Sequence, residues 1–216
     1  HELLHTFYAM DEYSQPMYNL SSRQGYLNGQ NLNYLGAECG GDIMFNLTLN
    51  LCSSTKKILG WYDSDSDDIP DILDIEANSI LNSYSSDPTT DSTPTYTGSV
   101  STVPFPNQNS HSMYSPLHLT TGEPSKNQNY TFYNWTTNNI SITTIVNAQY
   151  RVRNGGTTII NWTNALASDG SFDGVSENFS FTTAPLSSGT YTIEVRTINS
   201  VGLIETSYSN DILTII

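Results

Sequence analysis

The first thirteen residues, HELLHTFYAMDEY, constrain this chain more than any others, because they hold H-E-x-x-H in a segment whose apolar spacing predicts a helix from His1 to about Met10. On a helix His1 and His5 stand one turn apart on one face. Their imidazoles can then share one Zn2+, with Glu2 alongside to activate a water. Leu4, Phe7 and Tyr8 supply the packing face. Asp11, ten positions after His1, can return as third ligand if the chain turns after Tyr8, and Glu12 is its rival. The competing reading is a capped surface helix with two incidental histidines, ending in acidic residues and a packed Tyr13.

Residues 14–40 have no sustained period and many turn formers, which predicts a loop. Cys39-Gly-Gly-Asp-Ile-Met-Phe follows as a tight turn presenting Met44. Ser53 to Trp61 then reads as a short helix with a Ser cap at its start and Gly60 at its end. Cys39 and Cys52 are the only cysteines and flank Met44. A disulfide between them would close a loop of about 14 residues, worth ~3 kcal/mol in the chain-entropy picture. Two free buried thiols are the alternative, and a thiolate zinc site lacks any C-x-x-C pair.

Together these features resemble the C-terminal half of a metzincin-like zinc metalloprotease. Such proteins combine an H-E-x-x-H helix, a third ligand ten residues after the first His, and a Met-containing turn under the metal. His1, Glu2, His5, Asp11 and Met44 match those roles in order, within a likeness covering about residues 1–76. The resemblance implies Zn2+ on His1, His5 and Asp11, Glu2 as catalytic base, and a Cys39–Cys52 bridge holding the Met44 turn rigid. One residue departs from the pattern. Tyr8 stands where such proteins place Gly at the helix break, and a bulky residue at φ > 0 is costly.

The acidic run Asp63-Ser-Asp65-Ser-Asp67-Asp68-Ile69-Pro70-Asp71-Ile72-Leu73-Asp74 places carboxylates at positions 1, 3, 5, 9 and 12 of a loop, with the Ile69 carbonyl at position 7. Oxygen ligands at that spacing suit Ca2+. The run resembles the calcium loops of thrombospondin type 3 and dockerin-like repeats, except that Asp68 replaces the turn Gly and Asp74 the bidentate Glu. A solvated acidic linker is the alternative.

Beyond the run the pattern changes to β. Tyr191, Ile193 and Val195 alternate with Thr192, Glu194 and Arg196, and Phe179 and Phe181 alternate likewise. Asn154-Gly155-Gly156 ends a strand in a hairpin turn. The stretches SSGTYTIEVRTINSVG and DPTTDSTPTYTG resemble strands of bacterial Ig-like or fibronectin-III-like modules. The expected fold class is therefore mixed. A small, mostly helical or loop metalloprotease subdomain would span 1–62, the calcium loop 63–76, and an all-β Ig-like sandwich 77–216, with a Pro/Asn/Ser-rich loop inserted at about 104–129. His111 and His118 read as ordinary loop residues, and Trp135 and Trp162 as packing rather than sugar platforms.

The formal net charge of -14, from 7 Lys+Arg against 21 Asp+Glu, argues against a nucleic-acid binder, which needs clustered cations. No apolar run approaches the ~18–20 residues of a membrane span. The polar, Lys-poor composition and two cysteines fit a secreted or cell-surface protein, and the opening inside a motif implies a processed or artificial start. Seven N-x-S/T sequons, at Asn19, Asn46, Asn129, Asn134, Asn139, Asn161 and Asn178, are about what chance gives in so Asn-, Ser- and Thr-rich a chain. The expected function is part of a secreted zinc endopeptidase with a calcium-stabilised Ig-like accessory domain. Its partner would be a polypeptide substrate or a preceding part of the same protein. The alternative is a non-catalytic structural or adhesive surface protein, self-assembling through the Ig-like domain.

Overall fold

Turn formers and short apolar runs break the first part of the chain into small elements. The computed structural model describes residues 2–5, 23–27, 29–30, 39, 41–46, 49–106 and 139–216. It divides into one unit of His1–Ile72 with Phe105–Ile140, and another of Leu73–Pro104 with Ser141–Ile216.

In the first unit, helix α1 spans Glu2–His5, the antiparallel strands β1 and β2 span Arg23–Gln24 and Gly29–Gln30, and helices α2 and α3 span Ile43–Asn46 and Ser53–Leu59. Leu4, Met44, Ile58 and Leu59 share one buried apolar cluster. Helix α3 ends at Gly60 with φ 75, its N–H turned back to the Lys56 and Lys57 carbonyls. That left-handed end cap is the one the sequence predicts. Its start differs from expectation: Cys52 occupies the N-cap position with no side-chain hydrogen bond, and Ser53 is already helical. The β1–β2 turn lies on the last turn of α3, where the N–H groups of Tyr26 and Leu27 donate to the Ile58 and Lys57 carbonyls at 3.0 Å each. Gly25 is required there. Its φ is 74, and a Cβ would collide with the Ile58 backbone.

The second unit is built from β3 (Asn78–Leu81), β4 (Thr95–Ser101), β5 (Ile145–Asn154), β6 (Thr157–Asn164), β7 (Leu166–Ala167), β8 (Ser176–Thr182), β9 (Gly189–Asn199) and β10 (Ser209–Ile215). They form two antiparallel sheets, in the orders β3-β4-β8-β7 and β10-β9-β5-β6. The predicted alternation places Tyr191, Ile193, Val195, Phe179 and Phe181 in one core drawn from both sheets. Tyr150 of one sheet stacks on Phe181 of the other with centroids 4.0 Å apart, and Phe181 stacks in turn on Tyr96 at 5.4 Å. Each fully buried side chain of this size contributes ~1.5–3 kcal/mol. Gly98 pairs with Phe179 across β4 and β8, and the Phe179 ring fills the space a Cβ would need.

The expected mixed fold with a mostly helical metalloprotease subdomain is not what forms. Among the described residues helix is confined to pieces of 4, 4 and 7 residues, and antiparallel sheet dominates. Helix nucleation fixes several residues for one hydrogen bond, and runs this short, punctuated by Gly, Asn and Ser, cannot recover that cost by propagation. The expected loop over 14–40 contains the β1–β2 pair. Of the predicted His1–Met10 helix only Glu2–His5 lies within the described residues. No helix among them is long and apolar enough to cross a membrane.

Candidate metal centres

The acidic run folds as a loop closed by its own backbone, with the Asp71 N–H donating to the Tyr62 carbonyl at 2.8 Å. Inside it, carboxylates accept from backbone amides. Asp63 takes the N–H groups of Ser66 at 2.7 Å and Asp68 at 3.0 Å, one on each oxygen. Asp67 accepts from Ile69 at 2.8 Å and Asp71 from Ser64 at 2.7 Å. Desolvation pushes the Asp63 carboxyl up, but hydrogen bonds from the Ser66, Asp68 and Asp67 backbone and the Asp65 side chain outweigh it, leaving Asp63 below its ordinary value.

This wrapping brings oxygens of Asp63, Asp65 and Asp67 within 4.8 Å of one another. Two oxygens bound to one Ca2+ at 2.3–2.6 Å each can be no more than ~5 Å apart, and the trio lies within that limit. The missing turn Gly is not an obstacle, because Asp68 itself adopts φ 72. Asp is among the residues that tolerate the left-handed region best. The trio of side chains does not include Asp71, and Asp74 belongs to the second unit.

The Met44 turn is organised by a residue that the sequence reading passed over. Asp42 has no exposed surface, and its carboxylate accepts the Met44 N–H at 2.7 Å and the Cys52 N–H at 2.5 Å. The signal was present: an Asp directly before the short helix Ile43–Asn46 is an N-cap residue. The Ile43 N–H donates to the Asn50 carbonyl at 2.8 Å, closing the loop at its base. Cys39 and Cys52 are disulfide-bonded, with Cα atoms 6.1 Å apart. Met44 is fully buried against the cluster that also takes Leu4 of the His motif, whereas Leu3 is 69% exposed.

Of the expected zinc residues, Glu2 and His5 lie on helical backbone, while His1, Asp11 and the rival Glu12 lie outside the described residues. The donor set, two imidazoles and a carboxylate, is chemically suited to zinc. His111, His118, Trp135, Asn19, Asn129 and Asn134 also lie outside the described residues. Asn139, Asn161 and Asn178 are exposed, and Asn46 ends α2. Trp162 is a packing residue: the Arg196 and Arg151 guanidinium groups lie 4.2 and 4.4 Å from its ring, and Tyr208 meets it edge-on at 5.1 Å.

No family model matches the chain, and no curated protein matches it. Among solved structures, the sulfane dehydrogenase SoxCD from Paracoccus pantotrophus is similar over 61% of this chain, at 12% identity and a TM-score of 0.33. The chain spans 23% of that structure's chain, and a likeness this slight carries no argument about fold or function.

Proposed function

We propose that this chain carries the metal-binding part of a secreted zinc-dependent endopeptidase, joined to a calcium-binding loop and an Ig-like accessory unit. The observation that carries the reading is the shared burial of Leu4 and Met44. The helix bearing Glu2 and His5 rests on a Met turn that Asp42 and the Cys39–Cys52 bridge hold in place. His1, His5 and Asp11 would hold Zn2+, which supplies Lewis acidity toward a scissile carbonyl. Glu2 takes a proton from the attacking water and passes it to the leaving amine. Leu4 and Met44 keep the ligand helix from sinking or rotating, and a misplacement near 1 Å in such a site can cost ~100-fold in rate.

Two features favour an Ig-like second unit. Its sheet orders correspond to the A-B-E-D and G-F-C-C′ arrangements of that architecture. The Tyr191 hydroxyl donates to the Ser187 carbonyl at 2.9 Å, near the start of the strand equivalent to F, as in a tyrosine corner. Calcium at Asp63, Asp65 and Asp67 would replace repulsion between neighbouring carboxylates with ligation.

Metal analysis and peptide cleavage on the full chain test the reading. His1→Ala with His5→Ala should lose zinc, and Glu2→Gln should keep zinc and lose cleavage. Unchanged zinc in the double His variant would overturn it. Zinc without any cleavage by the unaltered chain would favour a non-catalytic structural or adhesive protein.

A further inference from the structure

We propose a second, redox-gated metal site in the first unit. When the Cys39–Cys52 disulfide is reduced, the two thiolates and the Asp42 carboxylate take one thiophilic divalent cation of the zinc class. Ligand atoms of all three residues lie within 4.8 Å of one another. They come from positions 39, 42 and 52, a spacing with no sequence motif, so the loop that Asp42 organises is what assembles them.

The Cα separation suits the exchange. Two sulfurs on a tetrahedral zinc, each at about 2.3 Å, lie ~3.8 Å apart. With the Cα atoms 6.1 Å apart, rotation about each Cα–Cβ bond opens that gap. Asp42 need not give up its present partners. An ionised carboxylate has about four lone-pair sites, and among the described residues the Met44 and Cys52 N–H groups occupy two of them. Those amides then act as the outer partners that orient a metal-ligating carboxylate. Asp42 and Cys52 are buried while Cys39 is exposed, so reductant and cation reach the site from the Cys39 side and a water can complete the tetrahedron.

The chemistry balances with a phosphine as reductant. The phosphine attacks one sulfur and takes an oxygen from water to become the phosphine oxide. The S–S bond breaks, and two thiols remain. Binding of the cation then releases the two thiol protons, since the thiolate is the ligand. The physical consequence is that the turn under Leu4 and Met44 keeps a cross-link in both oxidation states, covalent in one and coordinate in the other.

Co2+ is the probe, added anaerobically to the full chain after phosphine reduction. A sulfur-to-cobalt charge-transfer band should appear in the near ultraviolet at one equivalent, vanish on adding Zn2+, and be absent from the unreduced chain. Cobalt on imidazole and carboxylate donors has no sulfur to give this band, so the His motif does not contribute. Cys39→Ser, at an exposed position, should abolish the band, and Asp42→Asn should weaken cobalt affinity by at least about tenfold, the lower end of losses seen even for outer partners. No band in the reduced chain overturns the proposal, as does an unchanged band in Cys39→Ser or in folded Asp42→Asn. If Asp42→Asn does not fold, alkylation of the reduced unaltered chain decides: Zn2+ should protect both thiols together, and unprotected thiols overturn the site.

Discussion

Glu205→Gln should destabilise the second unit, and by an amount that depends on pH. Glu205 is 3% exposed, and its two carboxylate oxygens accept the Ser79 N–H and the Thr197 N–H, each at 3.0 Å. Ser79 lies on β3 in one sheet and Thr197 on β9 in the other, so one side chain ties the two sheets together. Gln offers a single acceptor oxygen and must turn its NH2 toward one of the two donors. Leaving such a donor unsatisfied costs ~1–3 kcal/mol. In a unit of about 100 residues that is roughly 4–8 °C of melting temperature per kcal/mol. Burial pushes the Glu205 carboxyl above its ordinary value of 4.5, hydrogen bonds from Ser79 and Thr197 pull it back, and Glu76 adds to the rise. With the folded value above the unfolded one, the group's contribution is fully present below pH ~4.5 and is lost as pH rises through the folded value. The difference between Glu205 and the Gln variant should therefore be larger at pH 4 than at pH 7. Urea unfolding at both pH values measures it. A Gln variant at least as stable as the parent, with the same pH slope, would refute the reasoning.

Tyr191→Phe removes the hydroxyl bond to Ser187 and keeps the buried ring, so urea unfolding should show a loss of about 1 kcal/mol. Calcium should raise the melting temperature and protect the Asp63–Asp71 stretch from proteases, Asp65→Ala with Asp67→Ala should abolish both effects, and equal melting with calcium and with chelator would count against the site. Because Asp63 sits below its ordinary value, the order its carboxylate imposes on the loop should be lost as pH falls through that lowered value, seen as smaller amide protection factors, relative to the intrinsic exchange rate at each pH, at Ser66 and Asp68. Trp162→Ala should cost ~0.5–2 kcal/mol by unstacking the Arg151 and Arg196 guanidinium groups, and a double-mutant cycle with Arg196→Gln would isolate that coupling.

What the sequence determined on its own is local. A period of two places Tyr191, Ile193 and Val195 on a buried face, because successive residues of a strand point to opposite sides. Gly155 between β5 and β6 and Gly60 after α3 end their elements, since both adopt positive φ, which residues with a Cβ rarely take. The pairing of Cys39 with Cys52 follows from there being no other thiol to choose. Carboxylates two residues apart at Asp63, Asp65 and Asp67 are close enough that a turn alone can gather them.

What only the tertiary structure decided depends on partners distant in sequence. The expectation of a mostly helical first region failed because a periodic pattern records which face is apolar, not whether a segment is long enough to nucleate and propagate a helix. Asp42 carries a local capping signal toward Met44, but that its other oxygen takes the Cys52 amide ten residues away is decided only when the loop folds back. Glu205 carries no local signal at all, because its two donors lie 126 and 8 residues away on opposite sheets. Trp162 could have been a platform or a packing residue until Arg151 of β5 and Arg196 of β9 came to rest against its ring. Short-range geometry is written in spacing, whereas the desolvation that makes a buried carboxylate or a stacked guanidinium matter exists only once the sheets have closed around it.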